Sequence, residues 1–324
     1  MEKIAEYQAL ITKLIDLQDY KKEPPELYDP IIYVMSQGGK RLRPMFTLLA
    51  CDMFGGDITH ALYPALAIEM FHSFTLIHDD IMDKAPIRRG EETVYKKWNS
   101  DIAILSGDTL FAMAYQNATQ TDNRLIKPIL EVFSKTAIEV CEGQQYDMNF
   151  ETARKVSLEE YIEMIRLKTA VLIGASVKIG AIAAGADYTS IRNLYDFGVS
   201  FGLAFQLMDD LLDVYGNLEQ FGKIRGGDIA SNKKTYLYLK ALELGDKEQK
   251  KQLKKLYSNK RLQADEKINQ VVEIYNQLNI RNEVVSLMEQ YYKESLRSLD
   301  AVVADERKKE VMRVFTWQLY NRNY

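Results

Sequence analysis

Hydrophobic positions recur at spacings of three and four along nearly the whole chain, the period of helices that turn one face to a core. Residues 2–18 show this pattern. Leu42–Met53 follows a Gly-Gly turn, with Pro44 near the first helical turn, where proline is tolerated. Residues 59–83 read as one long apolar helix, and 100–119 and 124–145 as two more, with Pro128 in the first turn of the second. Ser157, with Glu160 three residues on, forms a capping box that opens a helix toward Lys168. An apolar helix over 170–186 follows, then one over 188–215, and helical segments rich in Lys and Glu run from 234 onward. Residues 84–96 and 216–233 are polar, contain Gly or Pro, and read as loops. No stretch alternates with the period of a strand, and no linker divides the chain. The pattern predicts one all-α domain over 1–324.

Two of these helices end in acid. FHSFTLIHDDIMD closes on Asp79–Asp83, and FGLAFQLMDDLLD closes on Asp209–Asp213, 130 residues later. Positions i and i+4 share a helix face, so Asp79 aligns with Asp83 and Asp209 with Asp213, with Asp80 and Asp210 beside them. Crowding carboxylates on one face of an apolar helix is electrostatically costly. A divalent cation offsets that cost, and an oxygen-only ligand set suits Mg²⁺ bridging to a substrate phosphate.

Composition narrows the classes. The chain has 324 residues, 47% hydrophobic, with only seven prolines and 17 glycines, which favours long helices over a β-sandwich. A net charge of −4 implies no nucleic-acid partner. Cys51 and Cys141 lie in apolar helical contexts with no zinc or disulfide spacing, which fits a reducing cytoplasm. The amphipathic, acid-bearing start lacks the apolar core of a signal peptide. The apolar run Ala170–Ala186 contains Lys178 and is rich in Gly and Ala, so it reads as a packed interior helix and not a membrane span.

Basic groups alternate with the acidic ones. GGKRLRP (Gly38–Pro44) places Lys40, Arg41 and Arg43 at a helix start, the end that favours anions over cations. An arriving anion makes sense of cations there. Arg88 and Arg89 follow the first cluster on a loop, Lys168 and Thr169 border the apolar helix, and Gln206 precedes Asp209 by three residues. Lys223, Asp228, Lys233 and Lys234 populate the second loop. His72 lies seven residues before Asp79 on the same face; a lone histidine on an apolar helix is usually a core residue, but its basic surroundings suit a phosphate contact. Metal-binding acids and phosphate-binding cations in alternation match the needs of a diphosphate held with Mg²⁺.

GGKRLRP, HSFTLIHDDIMD, RRG, Lys168-Thr169, FQLMDDLLD and GK…GGDIASNKKT together resemble the trans-isoprenyl diphosphate synthases, or polyprenyl synthetases, of the short-chain type, in order and spacing from about residue 30 to 240. The resemblance implies antiparallel helices around a central cavity, a homodimer, and head-to-tail prenyl transfer. It implies that Lys40, Arg43, His72 and Arg89 bind the diphosphate of isopentenyl diphosphate. Arg88, Lys168, Thr169, Gln206, Lys223 and Lys233 are implied to contact an allylic diphosphate. Asp79, Asp83 and Asp209 are implied as the main ligands of about three Mg²⁺ ions. Asp80, Asp210 and Asp213 are implied to ligate through water or to orient the others, with Asp213 also a candidate direct ligand. Phe74, five residues before Asp79 and roughly 7 Å along the axis, stands as the floor that limits product length. With Thr75 beside it, that leaves fifteen- and twenty-carbon products open.

Three other readings fit less of the chain. A terpene cyclase uses one such acidic cluster and has no need of GGKRLRP. An HD-type phosphohydrolase built on His60 and His78-Asp79 leaves the second cluster and both basic motifs without purpose. A non-catalytic subunit would have lost aspartates or cations that are all present here. The ending WQLYNRNY carries Arg322 as its one basic residue, so closure by a basic tail stays open.

Overall fold

The computed structural model describes residues 2–216, 226–259 and 262–321. Lys223 and Arg322 lie outside them. The helical period is realised nearly throughout: α1 (Glu2–Asp16), α2 (Pro25–Ser36), α3 (Leu42–Met53), α4 (Thr59–Met82), α5 (Val94–Lys97), α6 (Ser100–Ala118), α7 (Asn123–Thr152), α8 (Leu158–Ile165), α9 (Val171–Ala183) and α10 (Tyr188–Tyr215). After the second loop come α11 (Gly227–Ala230), α12 (Tyr236–Leu244), α13 (Lys247–Ser258), α14 (Ala264–Gln277), α15 (Ile280–Asp300) and α16 (Glu306–Tyr320). Helix α2 had no counterpart among the segments read from the sequence. The capping box forms as expected: Glu160 N–H donates to Ser157 Oγ at 3.1 Å, and Ser157 N–H to Glu160 Oε2 at 2.7 Å.

Two features depart from the helical reading. The loop after α4 carries a hairpin, β1 (Ile87–Arg88) paired antiparallel with β2 (Glu91–Glu92). Its central residues Arg89 (φ 55°) and Gly90 (φ 84°) are both left-handed, the geometry of a type I′ turn that matches strand twist. Two-residue strands are too short to show a period of two. Between α8 and α9 the helix does not stop at Lys168-Thr169. It continues through a π-helical turn, Arg166–Ala170.

The chain forms two compact units. The first comprises Met1–Ala137, Leu172–Gly198 and Ser298–Thr316; the second comprises Ile138–Val171, Val199–Arg297 and Trp317–Tyr324. In the first unit α4 is the core helix, and Ala61, Leu66, Ala67, Ile68 and Met70 lose all contact with solvent. The rings of Phe197 and Phe315 meet Phe46 edge-on, with the Phe315 centroid 5.1 Å away. The small residues of α9 are explained here. A Cβ on Gly180 would lie 2.1 Å from the carbonyl oxygen of Thr47 on α3, so only glycine permits that approach. No helix among the described residues is long and apolar enough to cross a membrane. In the second unit α14 packs against α11, and Phe201, Tyr275 and Leu253 are fully or almost fully buried.

Candidate active site

In the first unit the acidic cluster closes α4. Asp83 N–H donates to the Asp79 carbonyl at 2.8 Å, so both carboxylates stand on one face a turn apart. Asp80, next along, turns inward and is 5% exposed. Arg88 reaches across from β1, its Nε 2.7 Å from Asp80 Oδ1 and its Nη2 3.1 Å from Asp79 Oδ2. Burial pushes the Asp80 carboxyl up to about 6, and the Arg88 guanidinium pulls it the other way. Asp80 therefore sets the position of Arg88, while Asp79 and Asp83 remain half-exposed at the helix end.

The hairpin turn carries Arg89 to the GGKRLRP loop. Its Nη1 donates to the carbonyl of Gly38 at 3.2 Å, and a Cβ on Gly39 would meet that nitrogen at 3.0 Å. Gly39 thus leaves space for the guanidinium. Arg41, left-handed at φ 46°, faces the other way. It donates to Glu69 Oε1 at 2.7 Å and to the carbonyls of Met35 (2.7 Å) and Gln37 (2.9 Å). Of the three basic residues, Arg41 is committed to anchoring the loop on α4, with Lys40 exposed and Arg43 half-buried to either side. Sequence reasoning did not find Glu69, a buried carboxylate that resembles any helical acid until its partner is seen.

His72 lies one turn beyond Glu69 on α4. It lines a single cavity with Gln37, Glu69, Asp80, Arg88 and Arg89. Burial, and then the positive charges of Arg43, Arg89, Arg88 and Arg41, hold its imidazole well below the usual range. The structure therefore gathers His72, Arg88 and Arg89 around one anion-seeking space, with Arg43 close enough to act on the imidazole.

Deeper along α4, the Phe74 ring stacks on Phe111 of α6 with centroids 4.8 Å apart. Phe71, Phe133 and Tyr115 extend the aromatic cluster. Thr75 uses its hydroxyl on its own helix, donating to the His72 carbonyl at 2.7 Å. His78 faces α6, its Nε2 3.3 Å from the Ile104 carbonyl oxygen, above Gly107, where a Cβ would lie 2.4 Å from the ring. The carbonyl of His60 accepts from Thr121. His60 and His78 stand on α4 about 27 Å apart along the axis, so they do not form the histidine pair that a phosphohydrolase needs.

The second unit repeats the inward turn of the middle aspartate. Asp210, 4% exposed, accepts hydrogen bonds from the Tyr161 hydroxyl and from Gln206 Nε2, the latter at 3.1 Å. Burial foremost, then the charge of Asp228, pushes its carboxyl well up. Gln206 Oε1 accepts from Thr169 Oγ1 at 2.9 Å, and Lys168 Nζ donates to Asp147 Oδ2 at 2.6 Å. Both Lys168 and Thr169 project from the π turn, a deviation that re-aims side chains and is frequent at functional sites. Gly143 accommodates it, since a Cβ there would meet the Lys168 backbone nitrogen at 2.3 Å. Lys168, Thr169, Gln206, Asp210, Asp228 and Lys233 line one cavity. Asp213 Oδ2 accepts from Asp228 N–H at 3.1 Å, and Asp209 is half-exposed beside it. Asp147 and Tyr161 were missed in the sequence because each looks like an ordinary helical residue.

Among the described residues, no three His, Cys, Asp or Glu side chains converge to hold a metal unaided. The half-exposed carboxylates Asp79, Asp83 and Asp209 fit a different arrangement. Mg²⁺ commonly takes one or two carboxylates and completes its octahedron with water and substrate phosphate oxygens.

The family model described as polyprenyl synthetase matches residues 24–275. A geranylgeranyl diphosphate synthase of Sulfolobus acidocaldarius is 39% identical over 282 residues, 86% of this chain and 85% of its own. A short chain isoprenyl diphosphate synthase of Methanocaldococcus jannaschii is 39% identical over 260 residues, 80% of this chain and 79% of its own. A crystal structure of a geranylgeranyl pyrophosphate synthase superposes with a TM-score of 0.94 at 41% identity, covering 99% of each chain.

Proposed function

The chain belongs to the polyprenyl synthetase family, and from that premise we propose that it condenses isopentenyl diphosphate head-to-tail with allylic diphosphates to a short-chain product, geranylgeranyl diphosphate. The observation that carries this reading is the complete pair of acidic turns in a chain 39% identical to a geranylgeranyl diphosphate synthase. In our reading Lys40, Arg43, His72 and Arg89 take the diphosphate of isopentenyl diphosphate. Arg88, Lys168, Thr169, Gln206 and Lys233, with Lys223 from outside the described residues, take the allylic diphosphate. Asp79, Asp83, Asp209 and Asp213 are the metal-facing carboxylates, while Asp80 and Asp210 orient Arg88 and Gln206. Mg²⁺, read as about three ions, supplies the positive charge that neutralises the diphosphate oxygens when bound.

The reaction follows from charge and exclusion of water. Cations placed around the allylic diphosphate stabilise the charge that builds on it as the C1–O bond breaks. The delocalised allylic cation is protected from water by apolar walls. The double bond of isopentenyl diphosphate attacks C1, a carbon–carbon bond forms, and loss of a proton restores an alkene. No side chain in either cavity stands out as the base, and the departed pyrophosphate is the proton acceptor. Holding the two substrates together supplies much of the rate enhancement. We read the whole of 1–324 as a single catalytic domain that acts as a cytoplasmic homodimer. The exposed Ile104 and Leu105 on α6 support the dimer.

The test is direct. Incubation with isopentenyl diphosphate, each allylic diphosphate in turn and Mg²⁺, then sizing of the dephosphorylated products, should give a twenty-carbon alcohol. If no product is longer than its primer, the reading is refuted.

A further inference from the structure

Lys267 lies on α14, outside every motif, and is 3% exposed. Its Nζ donates to the carbonyl of Ile229, to Asn232 Oδ1 at 2.6 Å and to the carbonyl of Ala230 at 3.4 Å. It also sits 4.9 Å from the centroid of the Tyr257 ring. No carboxylate among the described residues pairs with it. Burying an ammonium group is expensive, and an apolar side chain would fill the same space without that cost. What the ammonium adds is a three-way tie, and every hydrogen-bond acceptor in it belongs to the segment 226–234.

That segment needs support. Helix α11 has only four residues, and of its last two carbonyls that of Ile229 already accepts from Asn232 N–H at 3.1 Å. Lys267 donates to both carbonyls and ties down Asn232, which stands in the left-handed region at φ 63°. Asn232 immediately precedes Lys233, whose N–H donates to the Asp228 carbonyl at 2.9 Å. From the other side the second acidic turn holds the same segment. The Asp213 carbonyl accepts from Gly226 N–H at 2.7 Å, and its Oδ2 accepts from Asp228 N–H. Ile268, the neighbour of Lys267, presses on Gly226 so closely that a Cβ there would lie 2.8 Å from it. The segment is thus clamped between α10 and α14, and it brings Asp228 and Lys233 into the cavity with Lys168, Thr169 and Gln206.

We propose that Lys267 is a positioning residue for the allylic diphosphate: its tie to Ile229, Ala230 and Asn232 holds Asp228 and Lys233 at the cavity wall. This rests on the functional reading above. The test uses the full-length protein carrying Lys267→Met, with steady-state kinetics for both substrates and calorimetry with Mg²⁺ and inorganic pyrophosphate. KM for the allylic diphosphate should rise about tenfold, and the pyrophosphate affinity should fall by a similar factor, as for a displaced charge-assisted contact. KM for isopentenyl diphosphate should stay within about twofold, because its contacts belong to the other unit. Asn232→Gly keeps the left-handed freedom and deletes one acceptor, so it should move the same two quantities about threefold. It also decides the matter if Lys267→Met does not fold. Variants that lose thermal stability while both quantities stay at wild-type values would overturn the proposal and leave Lys267 a packing residue. If the wild-type protein makes no product, the functional reading fails by itself, and the pyrophosphate titration still tests the clamp.

Discussion

Single residues in the two cavities divide between those left toward open space and those bonded inward to protein partners. Asp80 and Asp210 look equivalent to their neighbours in DDIMD and DDLLD, yet each is buried and bonded inward, to Arg88 in one case and to Tyr161 and Gln206 in the other. His72 shows the opposite conversion, from an apparent core histidine to a group inside a ring of arginines. With its imidazole held well below the usual range, it is neutral in the folded chain at neutral pH. The unfolded chain then binds more protons than the folded one below about pH 6.5, so the His72 contribution to stability is intact above that pH and is lost as pH falls. A bound diphosphate reverses the local charge and favours the protonated ring. Isopentenyl diphosphate binding at pH 7 should therefore draw up more protons in wild type than in His72→Gln. Calorimetry in buffers of different ionisation enthalpy measures the difference, and equal uptake by the two proteins would remove His72 from the binding site.

At the scale of elements, we propose that the seam between α4 and α6 sets product length. Phe74 does not stand alone as a floor. Its ring lies at 21° to that of Phe111, and Phe71, Phe133 and Tyr115 pack around them. A braced ring cannot swing aside as the chain grows, so Phe74→Ala should release at least one further isoprene unit into the product, read by chromatography of the dephosphorylated alcohols. A product distribution identical to wild type would place the floor elsewhere. Phe74 is legible in the sequence because helical period and rise fix its distance from Asp79. Its stacking partner is not, since Phe111 lies 37 positions away on another helix. The same contrast runs through the elements. The apolar period outlines α4, α6 and α10, and Ser157 with Glu160 marks the start of α8. The π turn at Lys168-Thr169 has no local signature, because it depends on Gly143 admitting the backbone of Lys168. The hairpin beneath Arg88 and Arg89 is too short to register as a strand. The candidate site is therefore readable in the sequence as a set of charged residues. What stays hidden there is the supporting set, Glu69, Tyr161, Asp147 and Lys267, whose chemistry shows only through partners distant in sequence.

For the whole molecule the question is whether metal or substrate comes first. No preformed three-ligand cage is present among the described residues, and the most inward carboxylates are committed to protein partners. Mg²⁺ alone should therefore bind weakly, and so should pyrophosphate alone, which would face the acidic turns without neutralisation. Together each supplies what the other lacks. A ligand that binds only the folded state stabilises it by RT ln(1 + [L]/Kd), about 2.7 kcal/mol at a hundredfold excess over Kd. For a chain of this size that is a rise of several degrees in Tm. Differential scanning fluorimetry should show shifts of at most about a degree with either component and several degrees with both. A shift with Mg²⁺ alone equal to that of the pair would mean a metal site built by protein alone, contrary to the carboxylate arrangement.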